Sequence, residues 1–218
     1  MTRADARPRA ILFDWDNTLV DNWESVRNGI NAALTAFGRE PWSYEESRKR
    51  LIVSLRDGFP ILFGADWKRA MEIFYEAFNA RHLETLKPLP GAAELLCALD
   101  GGGIYLGVVS NKTGPILRRE AKHLGWNRHF GQIVGATDAS VDKPAPDPVF
   151  MALAGSSIAA GPEVWLVGDA ATDLECAHRA GCRPVLVRET PPGEGEFGVF
   201  APALHVVNCH DLAHILGY

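Results

Sequence analysis

The sequence has few cysteines and no long apolar run, and these absences limit the classes of protein it can be. Its four cysteines are scattered, and no two show the close spacing of a zinc site. We expect them to be reduced and mostly buried. No stretch approaches the roughly 20 apolar residues that span a bilayer, and residues 1–9 lack the apolar segment of a secretory signal. We therefore expect a cytoplasmic protein with no membrane partner.

The sequence also lacks an excess of basic residues. It has 22 Lys and Arg against 27 Asp and Glu, for a formal net charge of -5. Such a chain has no global positive field to attract nucleic acid, so we expect no nucleic-acid partner. Its 218 residues are 47% hydrophobic, enough for a sizeable core in one large domain or in one domain that carries an insertion.

An apolar run from about Ala10 to Asp14 ends in two carboxylates, Asp14 and Asp16, followed by a threonine. A short apolar run of this kind predicts a buried strand with an exposed polar end. Two like charges held close together repel, so a fold would not normally place them there without a cation, a shared proton or a task. We therefore expect the functional site of the protein to lie at these two carboxylates.

Residues 20–87 have helical periodicity and no convincing strand. A first helix that ends at Gly38 is predicted by an apolar stripe formed by Trp23, Val26, Ile30, Leu34 and Phe37. Residues 43–46 have the form of a capping box and predict a second helix that continues to Val53. A third helix is predicted over roughly 66–85. Prolines and a glycine at 88–91 then indicate a hinge or linker.

Helices and strands alternate after Gly91, which is typical of a parallel sheet covered on both faces. We therefore predict an α/β fold with a Rossmann-like parallel-sheet core, formed by residues 10–19 and 88–218. A small α-helical domain, residues 20–87, is inserted after the first strand. Residues 1–9 are predicted to be a flexible tail.

Polar residues follow three of the predicted strands. They are Asp14 and Asp16, then Ser110 and Asn111, then Asp169 with Asp173 four positions later. Ligands of open α/β sheets bind outside the carboxyl ends of the strands, so these residues could converge on one crevice. Lys143, which precedes a helix, would supply the only fixed cation among them. Carboxylates with one lysine and one serine suit a hard divalent cation such as Mg²⁺.

Four segments resemble, in order and context, the four motifs of the haloacid dehalogenase superfamily. They are Asp14-Trp-Asp16-Asn-Thr18-Leu-Val, Val109-Ser110-Asn111-Lys112, Lys143-Pro-Ala-Pro and Val167-Gly-Asp169-Ala-Ala-Thr-Asp173. The helical insertion looks like the C1 cap of that superfamily. The overall pattern is most similar to its phosphoglycolate-phosphatase-like branch, and the resemblance covers roughly residues 10–188.

The resemblance implies a Mg²⁺-dependent phosphatase that hydrolyses a small phosphomonoester, phosphoglycolate-like or a sugar phosphate, through an aspartyl-phosphate. Asp14 would be the nucleophile. Asp16 would protonate the leaving alkoxide and then deprotonate the hydrolytic water. Mg²⁺ would be held by Asp14, the backbone carbonyl of Asp16 and Asp169, with Asp173 as an outer or supporting carboxylate.

Five further residues are implied to contact the substrate or support its phosphate site. Ser110 would donate to a phosphate oxygen, with Asn111 beside it, and Lys143 would neutralise charge on the phosphoryl group and on Asp14. Thr18 would help to fix the loop. Arg56 is singled out in the inserted domain, in a turn-like segment over 54–60, because cap loops of this family help to choose the substrate.

Two positions depart from the family pattern. Position 15 is Trp where a smaller aliphatic residue is common, and position 17 is Asn where Gly is frequent. Asn tolerates left-handed backbone conformations better than most residues, so we expect the turn to be intact. Trp15 is expected to point away from the site, into the core or the neighbouring helix.

Simpler interpretations stand beside these roles. Ser110, Asn111, Asp169 and Asp173 could be ordinary helix caps or first-turn residues, and Lys143 and Arg56 could be exposed surface residues. A phosphomutase of the β-phosphoglucomutase type is the nearest rival enzyme, and a receiver domain or a non-catalytic binding protein are rivals of other classes. Dehalogenase or phosphonatase activity is disfavoured because those branches lack a carboxylate at position 16. Monomer and homodimer both stay open.

Overall fold

The structure is a computed structural model, and it describes residues 7–50 and 55–218, without the side chains of residues 55–57. The described strands are, in chain order, β1 (Ala10–Phe13), β2 (Val20–Asp21), β3 (Lys87–Pro88), β4 (Tyr105–Thr113), β5 (Gln132–Ala136), β6 (Val164–Gly168), β7 (Arg183–Val187) and β8 (Leu204–Val206). The described α-helices are α1 (Trp23–Ala36), α2 (Tyr44–Arg50), α3 (Leu55–Phe63), α4 (Trp67–Thr85), α5 (Ala92–Gly101), α6 (Gly114–His123), α7 (Asp147–Leu153), α8 (Ala171–Arg179) and α9 (Cys209–Ile215).

The strand β1 lies inside a six-stranded sheet, which has the order β5-β4-β1-β6-β7-β8. All four of its side chains are fully buried, and it pairs in parallel with β4 on one side and with β6 on the other. A strand covered on both faces consists of apolar residues throughout, which is the pattern of residues 10–13. The prediction of an α/β fold with a parallel sheet is confirmed.

The register of the three central strands brings their carboxyl ends level. Phe13 pairs with Val108 of β4 and with Val167 of β6. Asp14 follows Phe13 directly, and its backbone N–H donates to the carbonyl of Val167 over 2.8 Å. The residues that leave β1, β4 and β6 therefore emerge side by side at one edge of the sheet.

The contact pattern divides the chain into two compact units. One unit comprises the described residues up to Val20 together with Pro88–Tyr218, and the other is Asp21–Lys87. In the first unit, β1, β4 and β6 contribute to a buried apolar cluster that includes Leu12, Val109, Val149 and Leu166. Full burial of one such side chain contributes roughly 1.5–3 kcal/mol, so this cluster is a major source of the stability of the unit.

Two short strands of the structure were not predicted. The two residues of β2 and the two of β3 form a separate two-stranded sheet, whereas the sequence predicts no strand over 20–87. Within the first unit, the N–H of Leu89 donates to the carbonyl of Leu19 over 2.9 Å. This bond joins the two places where the chain leaves the first unit and returns to it.

The second unit is built around the contact between α1 and α4. A Cβ on Gly29 of α1 would lie 2.7 Å from the ring of Phe74, so only glycine permits this close approach. Ser43 and Glu46 exchange the two hydrogen bonds of a capping box at the start of α2, as predicted. The predicted continuation of that helix to Val53 lies outside the described residues.

The segment predicted to be a turn over 54–60 is a helix from Leu55 onward, so this prediction is wrong. Gly58 and Pro60 are typical of turns, and proline in a helix interior costs about 3 kcal/mol. However, Phe59 is fully buried and Phe63 is nearly so, and both rings pack against other aromatic rings of the unit. Burial of two phenylalanines outweighs the poor helix propensity.

The chain is anchored before β1. Pro8 is buried, and the N–H of Arg9 donates to the carbonyl of Glu163 over 2.9 Å. The part of the predicted tail that the structure describes therefore packs on the core, and residues 1–6 lie outside the described residues. The four cysteines are free thiols, three of them buried. Among the described helices, none has the length and apolar character needed to cross a membrane.

Candidate active site

The side chain of Lys143 lies at the centre of the candidate site. Its ammonium donates to Oδ1 of Asp14 over 2.7 Å, to Oδ1 of Asp173 over 2.6 Å and to the carbonyl of Val109 over 2.8 Å. The lysine comes from the loop before α7, and its side chain is 3% exposed. It is therefore a buried cation with three oxygen partners, and it is not an ordinary surface lysine.

Three carboxylates surround this position. Asp14, Asp169 and Asp173 each present an oxygen, and these oxygens all lie within 4.8 Å of one another. Asp14 and Asp173 are buried, and Asp169 is partly buried. Clustered carboxylate oxygens are the ligands that a hard divalent cation such as Mg²⁺ prefers. The side-chain oxygen of Asp16 is not part of this cluster.

The protonation of the carboxylates reflects their crowding. Burial raises the pKa of Asp14 to about 6, with Lys143 lowering it and Asp173 raising it further. Burial, and then the charges of Asp14 and Asp173, raise the pKa of Asp169 to about 8. Burial opposes the charge of Lys143, but Asp14 and Asp173 outweigh burial and hold the pKa of this lysine above its usual range. One ammonium does not fully compensate three carboxylates, so the donor set fits a further cation.

The loop after β1 explains how Asp14 is held. Asn17 adopts a left-handed backbone conformation with φ of 60°, as expected for an Asn at this position. The N–H of Leu19 donates to the carbonyl of Trp15 over 2.9 Å, and the N–H of Asn17 donates to the carbonyl of Val20 over 2.8 Å. These bonds close a tight turn directly after the predicted nucleophile.

Thr18 lies inside this turn and is almost completely buried. Its backbone carbonyl accepts a hydrogen bond from the thiol of Cys209 over 3.5 Å, which ties the loop to α9. Among the described residues, Oγ1 of Thr18 has no hydrogen-bond partner. This contact is made by the backbone, so the role of the Thr18 side chain in fixing the loop stays a prediction.

Ser110 and Asn111 lie near the carboxyl end of β4. Ser110 is buried, and its hydroxyl accepts a hydrogen bond from the N–H of Lys112 over 3.2 Å. The side-chain amide of Asn111 donates to the backbone carbonyl of Lys143 over 3.1 Å. Asn111 therefore fastens the lysine loop to β4, and its contact with phosphate stays a prediction.

Asp173 owes its position to a glycine in β6. A Cβ on Gly168 would lie 2.3 Å from Cγ of Asp173, closer than any real side chain can approach. Oδ2 of Asp173 accepts a hydrogen bond from the N–H of Ala170 over 3.1 Å, while Oδ1 accepts from Lys143. The same carboxylate thus serves both the helix start and the site, so the two interpretations of Asp173 are compatible.

A second lysine, with 9% of its side chain exposed, contacts the site. Lys112 Nζ donates to Oδ1 of Asp16 over 2.8 Å and to Oε2 of Glu120 over 2.7 Å. The prediction that Lys143 supplies the only fixed cation is wrong, because Glu120 of α6 is fully buried and draws the ammonium of Lys112 inward. One sequence signal could have indicated this contact: Glu120 comes three residues after Leu117 and so lies on the buried face of α6.

Trp15 points into the core, as predicted. Its indole is fully buried and meets the rings of Trp126 and Phe130 edge-on. Its N–H donates to Oε2 of Glu120 over 2.7 Å. Trp15, which departs from the family pattern, and Lys112 therefore donate to the same carboxylate, that of Glu120.

The remaining predicted residue, Arg56, lies in helix α3 of the second unit. Its side chain is outside the described residues, so the structure does not place the guanidinium. Its selection as a substrate contact stays a prediction.

Comparison with known sequences identifies related enzymes. The sequence profile described as haloacid dehalogenase-like hydrolase matches residues 11–187. A phosphoglycolate phosphatase from Xylella fastidiosa (strain 9a5c) is 30% identical over 182 residues, which cover 82% of this chain and 79% of that protein. The pyrophosphatase PpaX from Bacillus velezensis is 29% identical over 215 residues, which cover 98% of each chain.

Comparison with solved structures gives the same family. The crystal structure of a HAD-superfamily hydrolase from Ehrlichia chaffeensis superposes with a TM-score of 0.66 at 28% sequence identity. The match covers 96% of each chain. The likeness therefore extends through nearly the whole of both proteins.

Proposed function

Because this chain belongs to the haloacid dehalogenase-like hydrolase family, we propose that it is a Mg²⁺-dependent phosphatase that hydrolyses a small phosphomonoester through an aspartyl-phosphate. The observation that carries the proposal is the buried ammonium of Lys143 between Asp14 and Asp173, with Asp169 beside them. A cation-stabilised carboxylate at the carboxyl edge of a parallel sheet is suited to attack an anionic group. The relatives named phosphoglycolate phosphatase support phosphate ester hydrolysis.

The chemistry would proceed in two displacements at phosphorus. In the first, a carboxylate oxygen of Asp14 forms a bond to phosphorus while the ester P–O bond breaks, and Asp16 gives its proton to the leaving alkoxide. In the second, water attacks the aspartyl-phosphate, its proton passes to Asp16, and the carboxylate of Asp14 leaves. General acid–base catalysis of this kind contributes typically about 10²–10⁴-fold.

Mg²⁺ would be held by the carboxylates of Asp14 and Asp169 and by the backbone carbonyl of Asp16, with Asp173 as a supporting carboxylate. When bound, the ion offsets the repulsion between the anionic nucleophile and the anionic substrate. Lys143 would hold Asp14 in its ionised form and neutralise charge on the phosphoryl group. Ser110 would donate its hydroxyl hydrogen to a phosphate oxygen.

The covalent intermediate gives the sharpest test. The enzyme is mixed with substrate and Mg²⁺ and quenched rapidly, and borohydride then converts any aspartyl-phosphate to homoserine, which peptide mass spectrometry locates. We expect homoserine at position 14 and none at position 16. Asp14→Asn should lose both the modification and turnover. Full activity of Asp14→Asn on p-nitrophenyl phosphate would contradict the mechanism.

A panel of substrates tests the proposed class. Phosphoglycolate, sugar phosphates and pyrophosphate are assayed for phosphate release with Mg²⁺ and again after chelation with EDTA. Pyrophosphate is included because a relative that matches nearly the whole chain is named a pyrophosphatase. Isomerised sugar phosphate without free phosphate would favour a phosphomutase. Absence of turnover on every substrate would favour a non-catalytic binding protein.

A further inference from the structure

We propose that Lys112, held by Glu120, which in turn accepts from Trp15, is a positioning residue that fixes the carboxyl group of Asp16 for proton transfer to the leaving group. This inference rests on the proposed function, because it assigns Asp16 as the general acid. It goes beyond that function by giving a role to three residues outside the nucleophile and metal cluster. It also explains why a tryptophan stands between the two aspartates.

The contacts form a closed ring. Lys112 Nζ lies 2.8 Å from Oδ1 of Asp16 and 2.7 Å from Oε2 of Glu120. The indole N–H of Trp15 lies 2.7 Å from the same oxygen of Glu120. Because Trp15 and Asp16 are consecutive in the chain, the backbone completes the ring. Rotation of the Asp16 side chain away from Lys112 would break an ion pair whose other half is anchored.

The burial of the ring members differs in a way that supports positioning. The side chain of Glu120 is fully buried and that of Lys112 is 9% exposed, whereas that of Asp16 is 35% exposed. The ring is therefore rigid on its inner side and opens toward solvent only at the carboxylate assigned to proton transfer. A reactive group on a rigid support keeps the geometry that catalysis requires.

Stability alone does not account for the ring. Desolvation of a lysine and a glutamate costs several kcal/mol per ion, and well-packed apolar residues of similar volume are often as stable or more stable. α6 could fill the position of Glu120 with an apolar residue, as it does at Leu117 one turn earlier. The charged pair is therefore better explained by the group it contacts, which is the carboxylate of Asp16.

Positioning of a general acid has a kinetic signature. An alkoxide leaves poorly and needs a proton in the transition state, whereas p-nitrophenolate is a good leaving group and needs little assistance. The ratio kcat/KM reports steps up to phosphoryl transfer to Asp14. A misplaced Asp16 should therefore lower kcat/KM for an alkyl phosphate far more than for p-nitrophenyl phosphate. A general loss of structure would lower both values alike.

The test variant is Lys112→Met combined with Glu120→Gln. The pair removes both charges together, so no buried charge is left unpaired, and Gln keeps an acceptor for the indole of Trp15. We expect kcat/KM for phosphoglycolate, or for the alkyl phosphate that the wild type hydrolyses best, to fall about tenfold or more. The value for p-nitrophenyl phosphate should stay within about twofold. Lys112→Arg, which keeps the cation, should retain more alkyl phosphate activity than the double variant.

A control variant also removes one cation and one glutamate charge, at an ion pair elsewhere. Arg9→Met combined with Glu163→Gln removes an exposed ion pair at the opposite edge of the sheet, before β1 and β6. This control should leave both kcat/KM values unchanged. A thermal melt of each variant in EDTA reports whether it is folded.

The possible outcomes separate the two proposals. Equal losses for alkyl and aryl phosphates in a folded double variant, or no loss for either, would overturn the positioning role and leave the phosphatase proposal standing. Failure of the wild type to release phosphate from either substrate would overturn the proposed function and, with it, this inference. If the double variant is unfolded, the single variant Glu120→Gln is measured instead. A fall in kcat/KM for the alkyl phosphate alone supports the positioning role. Equal changes in kcat/KM for both substrates, or no change, overturn it.

Discussion

Lys143 Nζ lies 2.7 Å from Oδ1 of Asp14, although the two residues are 129 positions apart in the sequence. The lysine enters from the loop before α7, and the aspartate follows the central strand β1. Both side chains are largely removed from solvent, with 3% and 11% exposed. The contact therefore holds Asp14, the proposed nucleophile, and the lysine loop together.

Removal of Lys143 should cost both stability and activity. Lys143→Met leaves the carboxylates of Asp14 and Asp173 buried without their cation, and breaking such a pair costs about 3–5 kcal/mol. We expect a fall of this size in the free energy of unfolding, measured with urea in EDTA at pH 8, and no detectable turnover. Lys122→Met, a change at an exposed lysine, should alter stability by less than about 0.5 kcal/mol. Equal stability of the two variants would contradict the importance of the contact.

The stabilisation by Mg²⁺ should increase with pH. Asp14 and Asp169 have folded-state pKa values of about 6 and about 8, both raised from ordinary carboxyl values. The folded protein thus binds more protons than the unfolded chain. In EDTA, the stability that these two groups contribute is therefore lost as the pH rises through their folded-state pKa values of about 6 and about 8. Mg²⁺ requires the ionised carboxylates, so it competes with protons and binds better at high pH.

Thermal melts measure this dependence directly. The Mg²⁺-induced rise in Tm should be larger at pH 8.5 than at pH 5.5, and Asp169→Asn should reduce the rise at pH 8.5. A tenfold gain in affinity corresponds to about 1.4 kcal/mol when the ion is in excess. A rise in Tm that is the same at both pH values would show that these carboxylates do not bind the ion.

Two glycines near β6 give a matched pair of substitutions. Gly168→Ala places a Cβ 2.3 Å from Cγ of Asp173, so the aspartate must move from Lys143. Gly161→Ala meets nothing within 4 Å and has an ordinary φ. We expect Gly168→Ala to lose more than about tenfold in kcat, because small displacements in a site have large effects, and Gly161→Ala to keep wild-type activity. Equal kcat values for the two variants would show that activity does not depend on the position of Asp173.

The hydrogen bond from Trp15 to Glu120 can be measured as a coupling energy. Trp15→Phe removes the indole N–H from a buried carboxylate, which should cost about 1–3 kcal/mol beyond the loss of packing. Trp126→Phe, in a neighbouring buried ring, gives the packing cost alone. A double-mutant cycle of Trp15→Phe with Glu120→Leu, which removes the acceptor, should show a coupling of about 0.5–3 kcal/mol in urea unfolding. Additive effects would mean that the two side chains do not interact.

The sequence predicts the strands and the carboxylate cluster because both depend on local patterns. The apolar run at 10–13 predicts a strand buried on both faces, and parallel strands bring their carboxyl ends to one edge. Asp14, Asp169 and Asp173 follow from these two facts and from the motif resemblance. Lys143 is predicted from the same motifs, but its contact with Asp14 depends on the tertiary fold.

Other features could not be predicted because packing between separate elements decides them. Lys112 looks like any polar residue at a strand end, and only the burial of Glu120 on a separate helix turns its ammonium inward. Helix α3 contains Gly58 and Pro60, which favour a turn, and forms because Phe59 packs against the ring of Phe74 in α4. In each case the deciding partner lies in a different element of the fold.

The hydrogen bond between Leu89 and Leu19 has a consequence for how such a protein can change over evolution. The chain departs from the core and returns to it at neighbouring points, so the core is closed in space without the residues between them. The loop-closure part of the free energy then changes only slowly with the length of the intervening segment. Insertions and deletions within that segment should therefore add little loop-closure cost to the folding of the core.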